Sequence, residues 1–118
     1  MNLNEYQILA KRTNADLGND KLNLSHMVLG MCSEIPELKD AYDNNDPVNI
    51  GEEIADIHWY VANYETLRGY KSDDYKRKTA GGLGIQKLSY DIGLLQDLIK
   101  KNIAYGKEID QVEEKRIL

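Results

Sequence analysis

Asp46-Pro47-Val48-Asn49-Ile50-Gly51-Glu52-Glu53-Ile54-Ala55-Asp56-Ile57-His58-Trp59-Tyr60-Val61-Ala62-Asn63-Tyr64 decides the fold class. Asp46 followed by Pro47 is an N-cap with proline at the first helical position, where the missing N–H is an orphan in any case and the fixed φ is already helical. Ile50, Ile54, Ile57, Val61 and Tyr64 then recur at spacings of three and four, the period of one helix face, and Gly69 supplies the stop. Glu53 and Asp56 stand three apart on that helix, so their oxygens point the same way among apolar neighbours.

Working back along the chain, Gly30-Met31-Cys32-Ser33-Glu34-Ile35-Pro36-Glu37-Leu38 holds a second pair, Glu34 and Glu37, at the same helical spacing. Fifteen residues separate Glu37 from Glu53, enough for one helix to end, turn and run back antiparallel. The two pairs can then meet. One such pair in an acidic chain is an ordinary solvated face, but both are threaded through apolar residues, which places the acids near a core. Like charges between packed helices persist only if some are protonated or a cation lies among them. Hard oxygen ligands in that number favour Mg²⁺ or Mn²⁺ over zinc. Pro36 removes a backbone hydrogen bond and presses on the Cys32 carbonyl, so a kink is expected between the two glutamates, as a feature of a site or as a bend that improves packing.

These residues resemble the MazG-like all-α nucleoside triphosphate pyrophosphohydrolases, whose hallmark is E-x-x-E, a spacer and E-x-x-D. The likeness is good over roughly Ser25 to Tyr64, is strongest from Glu52 to Tyr60, and elsewhere extends only to the order of helices. It implies hydrolysis of a (d)NTP between the α and β phosphates, giving the monophosphate and pyrophosphate, with Mg²⁺ as cofactor and Mn²⁺ as a substitute. It also implies Glu34, Glu37, Glu53 and Asp56 as metal ligands, with Glu52 in a supporting or general-base role. Two departures stand out: Ser33 lies where many members have a further Glu, and Pro36 where many have Gly.

The remainder reads as helix from end to end. Asn2-x-x-Glu5 is a capping box, Leu3, Tyr6, Ala10, Thr13 and Leu17 share a face, and Gly18 is a natural stop for a first helix. A second helix is expected from about Asn23 to Tyr42, with Met27, Met31, Leu38 and Tyr42 inward and Asp43-Asn44-Asn45 ending it. A fourth runs from Ile85 to about Ala104, with Ile85, Leu88, Ile92, Leu95, Ile99 and Ile103 as a seam closed by Tyr105-Gly106. The charged tail, 107–118, either forms a short helix against a neighbouring subunit or frays. One all-α domain over 1–118 follows: an antiparallel four-helix, MazG-like bundle, its modest core enlarged by oligomerisation to a dimer or tetramer.

Between the third and fourth helices, Tyr70 to Gly84 reads as a long connection. It carries the basic run Lys76-Arg77-Lys78 and the loop Gly81-Gly82-Leu83-Gly84, which fits neither a P-loop nor a dinucleotide fingerprint. A departing pyrophosphate needs positive charge, and Lys76, Arg77, Lys78 and Lys87 are the candidates, each also readable as a solvated surface cation. Tyr60 and Asn63 lie four and seven residues beyond Asp56, on the carboxylate face, and are candidate substrate contacts. Trp59 projects elsewhere; for it and Tyr60, base stacking competes with core packing.

Composition closes off other classes. A net charge of −5 over 118 residues, with no basic tail, argues against a nucleic-acid partner. No apolar run approaches the length of a membrane span and no signal core opens the chain, so a cytoplasmic protein without a membrane partner is expected. Cys32 is the single cysteine and has no nearby base in sequence, so packing outweighs nucleophilic catalysis. His26 and His58 form no metal-ligand spacing, and neither follows a Glu by three residues, which removes the signature of a di-iron bundle. The alternative from another class is a non-catalytic helical oligomerisation or interaction module whose acids are surface decoration.

Overall fold

The computed structural model describes residues 2–74 and 84–118. All regular structure among them is helical: α1 (Leu3–Lys11), α2 (Asp20–Asp43), α3 (Pro47–Arg68), a 3-10 turn at Ser72–Asp74, α4 (Ile85–Tyr105) and α5 (Gln111–Ile117). None of these helices is long and apolar enough to cross a membrane.

Cap chemistry sets most of the boundaries. Asp46 accepts the Asn49 N–H at 3.1 Å, Pro47 opens α3, and Gly69 closes it at φ 74°, a left-handed turn that costs glycine nothing. Asn2 and Glu5 form the capping box of α1. That helix nevertheless ends at Lys11, well short of Gly18. Its last turn tightens, with the N–H groups of Arg12, Thr13 and Asn14 donating to the carbonyls of Leu9, Ala10 and Lys11, and Thr13 Oγ1 and Asn63 Nδ2 also donate to the Ala10 oxygen, at 3.1 and 3.3 Å. Gly18, at φ 78°, turns the connecting loop instead, donating its N–H to Asp16 Oδ1 at 2.8 Å. α2 starts at Asp20 rather than near Asn23, because Asn19 caps it through the Leu22 N–H at 3.1 Å. It continues without interruption through Pro36, which sits on the exposed side.

A short turn, Asn44 to Asp46, sends α3 back antiparallel along α2, so that Tyr60 lies beside Gly30 and Glu53 meets Glu34. α4 packs on α2, α1 on α3, and α5 on α4. The core collects Leu24, Met27, Val28 and Met31 from α2, Tyr64 from α3, and Ile92, Leu95 and Ile99 from α4. Each such side chain contributes roughly 1.5–3 kcal/mol through the apolar area it removes from water. The ends of the predicted stripes miss this core. Tyr42 and Ile103 are exposed, since a helix leaving a small bundle outruns the partners that would cover it, and Ile54, inside its stripe, is exposed as well.

The tail resolves in favour of a helix within the same chain. α5 carries Glu114, which is fully enclosed. Its carboxylate accepts from the hydroxyls of Tyr64 and Tyr70 and from Arg68, whose Nε and second guanidinium nitrogen lie 2.8 and 3.1 Å away. Lys115 adds a cation over the Tyr70 ring at 4.7 Å. A buried carboxylate is tolerated because every oxygen is met by a donor and its charge by a guanidinium.

Candidate metal centre

Glu34 and Glu37 project from one face of α2, and the antiparallel return of α3 brings Glu53 to them. Each of the three offers one oxygen within 4.8 Å of the others. Glu34 is buried, Glu53 half-buried and Glu37 exposed, so the cluster has a closed floor and an open rim. Glu34 Oε2 and Glu53 Oε2 are shut away from solvent, with no hydrogen-bond partner among the described residues. Among the described residues no lysine or arginine pairs with any of the three. Glu34 answers electrostatically: burial first, then hydrogen bonding with Glu53 and Glu37, then the charges of Glu37 and Asp56, push its pKa up to about 8. Near neutral pH a proton does the work that a cation would otherwise do.

Asp56 stands outside the group of three. It is exposed, and acts through its charge on Glu34, on Tyr60 and on Tyr6 of α1. Helical spacing put it on the right face but did not aim its carboxylate, which an exposed side chain leaves free. Glu52 is exposed beside Glu53.

Tyr60 borders the acids. Its phenol is pushed upward by burial and by the negative charge of Glu34, Asp56 and Glu37. The ring lies across α2 at Gly30 so closely that a methyl added there would come within 2.0 Å of Cε1. Glycine inside a helix costs about 1 kcal/mol relative to alanine, and here close approach accounts for it. His26 and Trp59 meet the same ring edge-on, with centroids 6.2 and 5.1 Å away. Trp59 itself turns toward α1, donating to Thr13 Oγ1 at 2.9 Å. Asn63 is almost wholly enclosed, and its amide nitrogen is engaged by the Ala10 and Trp59 carbonyls at 3.3 and 3.1 Å. It is thus built into the α1–α3 junction rather than presented at the rim.

Of the candidate cations, Lys87 is paired with Asp91 at 2.8 Å and lies 5.7 Å from the centroid of the Tyr90 ring. Lys76, Arg77 and Lys78 fall outside the described residues.

No protein-family model, curated protein or solved structure matches the chain. The acids' own chemistry is therefore what bears on function.

Two further acids escaped the sequence reading. Glu114 sits in a segment whose charge suggested solvent. Glu65 is enclosed at the end of α3, accepting from Ser72 Oγ at 2.7 Å, while Gln7 accepts the Ser72 N–H at 3.1 Å and donates to the Tyr70 carbonyl at 2.6 Å. A signal existed for Glu65, which follows Val61 by four residues along the apolar stripe.

Proposed function

We propose that this chain is a MazG-like nucleoside triphosphate pyrophosphohydrolase, converting a (d)NTP and water to the monophosphate and pyrophosphate with Mg²⁺. One observation carries the reading: three glutamates from two antiparallel helices converge around buried oxygens that, among the described residues, no donor group or cationic side chain satisfies. The donor set fits a hard divalent cation, being all oxygen, and a proton on Glu34 now supplies the positive charge that such an ion would bring.

Glu34, Glu37 and Glu53 would hold the ion, with Asp56 beside them adding negative charge or a fourth oxygen. Bound there, Mg²⁺, or Mn²⁺ in its place, supplies neutralisation of the triphosphate and a more acidic water for in-line attack at the α–β anhydride. Glu37 and Asp56 lie at the exposed rim, where an ion among the acids would offset their repulsion of the incoming phosphates; Glu52 is the neighbouring carboxylate able to accept a proton from water. Tyr60, half-buried beside the acids, is the aromatic candidate for contact with the nucleoside. Lys87, freed from Asp91, and the run Lys76-Arg77-Lys78 are the cations for the departing pyrophosphate. In the groove between α2 and α4 the exposed Leu29 stands among Ser25, Gln96, Asp97 and Lys100, and it is the apolar side chain there that a second copy, in a dimer or tetramer, would cover.

The test is a screen of canonical and modified NTPs with Mg²⁺, scored for pyrophosphate. Expected is pyrophosphate from at least one substrate and its loss in Glu53→Gln and Asp56→Asn. A diphosphate and orthophosphate instead would sink the assignment.

A further inference from the structure

We propose that Gly30 and Tyr60 form a notch and wedge that set the approach and register of α2 against α3, making Tyr60 the positioning residue on which the three-carboxylate cation site depends. This rests on reading Glu34, Glu37 and Glu53 as a cation site. Gly30 is buried in the interior of α2, four residues before Glu34 and therefore one turn away on the same face. Tyr60 is seven residues, two turns, beyond Glu53 on α3. The ring occupies the space where any other residue at position 30 would carry its Cβ, with Cε1, Cζ and Cδ1 all inside 2.5 Å of that point. Trp59 and His26 brace it from the sides. Sliding α3 along α2 by one turn would drive the ring into a position with a side chain and carry Glu53 away from Glu34. The ring therefore admits one register, and that register is the one in which the acids meet.

Wild-type protein, Glu53→Gln, Gly30→Ala, Tyr60→Phe, Tyr60→Leu and the double variant Gly30→Ala with Tyr60→Leu are titrated with Mn²⁺. Free ion is read by electron paramagnetic resonance and helix content by circular dichroism. Glu53→Gln marks loss of the site itself. Tyr60→Phe keeps the wedge and should bind within about twofold of wild type, whereas Gly30→Ala and Tyr60→Leu should weaken Mn²⁺ by about tenfold or more at unchanged helix content. The double variant should bind more tightly than Gly30→Ala, because the added methyl then enters space the ring has left. Wild-type affinity in folded Gly30→Ala and Tyr60→Leu overturns the inference while leaving the cation site standing. A large loss in Tyr60→Phe also overturns it, assigning the role to the hydroxyl. A wild-type protein that binds no Mn²⁺ removes both. Should Gly30→Ala not fold, Tyr60→Leu, which only removes atoms, carries the comparison.

Discussion

Glu34 on α2 and Glu53 on α3 meet across the helix interface, each with a buried oxygen that no donor group among the described residues reaches. Only a proton or a cation shared among the acids can satisfy that pair. The protein therefore folds around an electrostatic deficit, from which its response to metal and pH follows.

Replacing Glu53 with Gln supplies an amide donor and removes one negative charge. The metal-free melting temperature should hold or rise. Mn²⁺ at about a hundred times its dissociation constant should stabilise wild type by about 2.7 kcal/mol, and the variant by almost nothing. Thermal melts with and without the ion check this, and equal shifts in the two proteins would place the cation elsewhere.

Acidity should act in the unusual direction. Glu34 has a folded pKa raised to about 8 from a reference of 4.5, so its protonated form favours the native state. That contribution is complete below about pH 4.5 and is lost as pH climbs through about 8. Metal-free wild type, compared with Glu34→Gln across pH 5–8, should lose stability relative to the variant as pH rises. Added Mn²⁺ should shrink the difference by displacing the proton. Parallel curves without metal would show that Glu34 titrates normally.

The enclosed carboxylate of α5 gives a contrast within two neighbouring positions. Glu114→Gln strands Arg68 and leaves two tyrosine hydroxyls with a poorer acceptor, at a cost of about 3 kcal/mol, or roughly 10 °C in melting temperature. Glu113→Gln, breaking only an exposed pair with Arg116, should barely move the melt. Denaturant midpoints for the two variants decide the matter.

Asn63 separates framework from substrate contact. Asn63→Ala breaks its bonds to the Ala10 and Trp59 carbonyls in an enclosed setting, so stability should fall by about 1–3 kcal/mol. KM for the best NTP, measured well below the melt, should not change. A raised KM with an unmoved melt would make Asn63 a substrate contact after all.

What the sequence disclosed was whatever periodicity and cap chemistry control. Asp46-Pro47 and Gly69 bound α3 as read, and the two acidic pairs came out on facing helices, because helical spacing fixes the face on which a side chain emerges. Spacing does not fix where a flexible carboxylate points, and Asp56 accordingly stands apart from the other three. Nor does it reveal a polar residue whose partners lie far along the chain. Glu114 looked solvated because its neighbours are charged, and only Tyr64, Arg68 and Tyr70, more than forty residues away, make its burial intelligible. At the end of the first helix a distant residue is again involved, Asn63 reaching across from α3 to the Ala10 carbonyl.

The clasp between Glu114 and α3 also orders events in time. Glu114, whose carboxylate accepts the hydrogen bond of the Tyr64 hydroxyl, follows that tyrosine by fifty positions. During synthesis α1, α2 and α3 emerge with Arg68 and both phenols still awaiting their acceptor, and closing so long a loop carries an entropic penalty that local helix formation avoids. The carboxylate cluster between α2 and α3 needs no such wait. The acidic centre is thus closed by a local pairing of consecutive helices, whereas the far end of α3 is locked by a contact that only α5 brings.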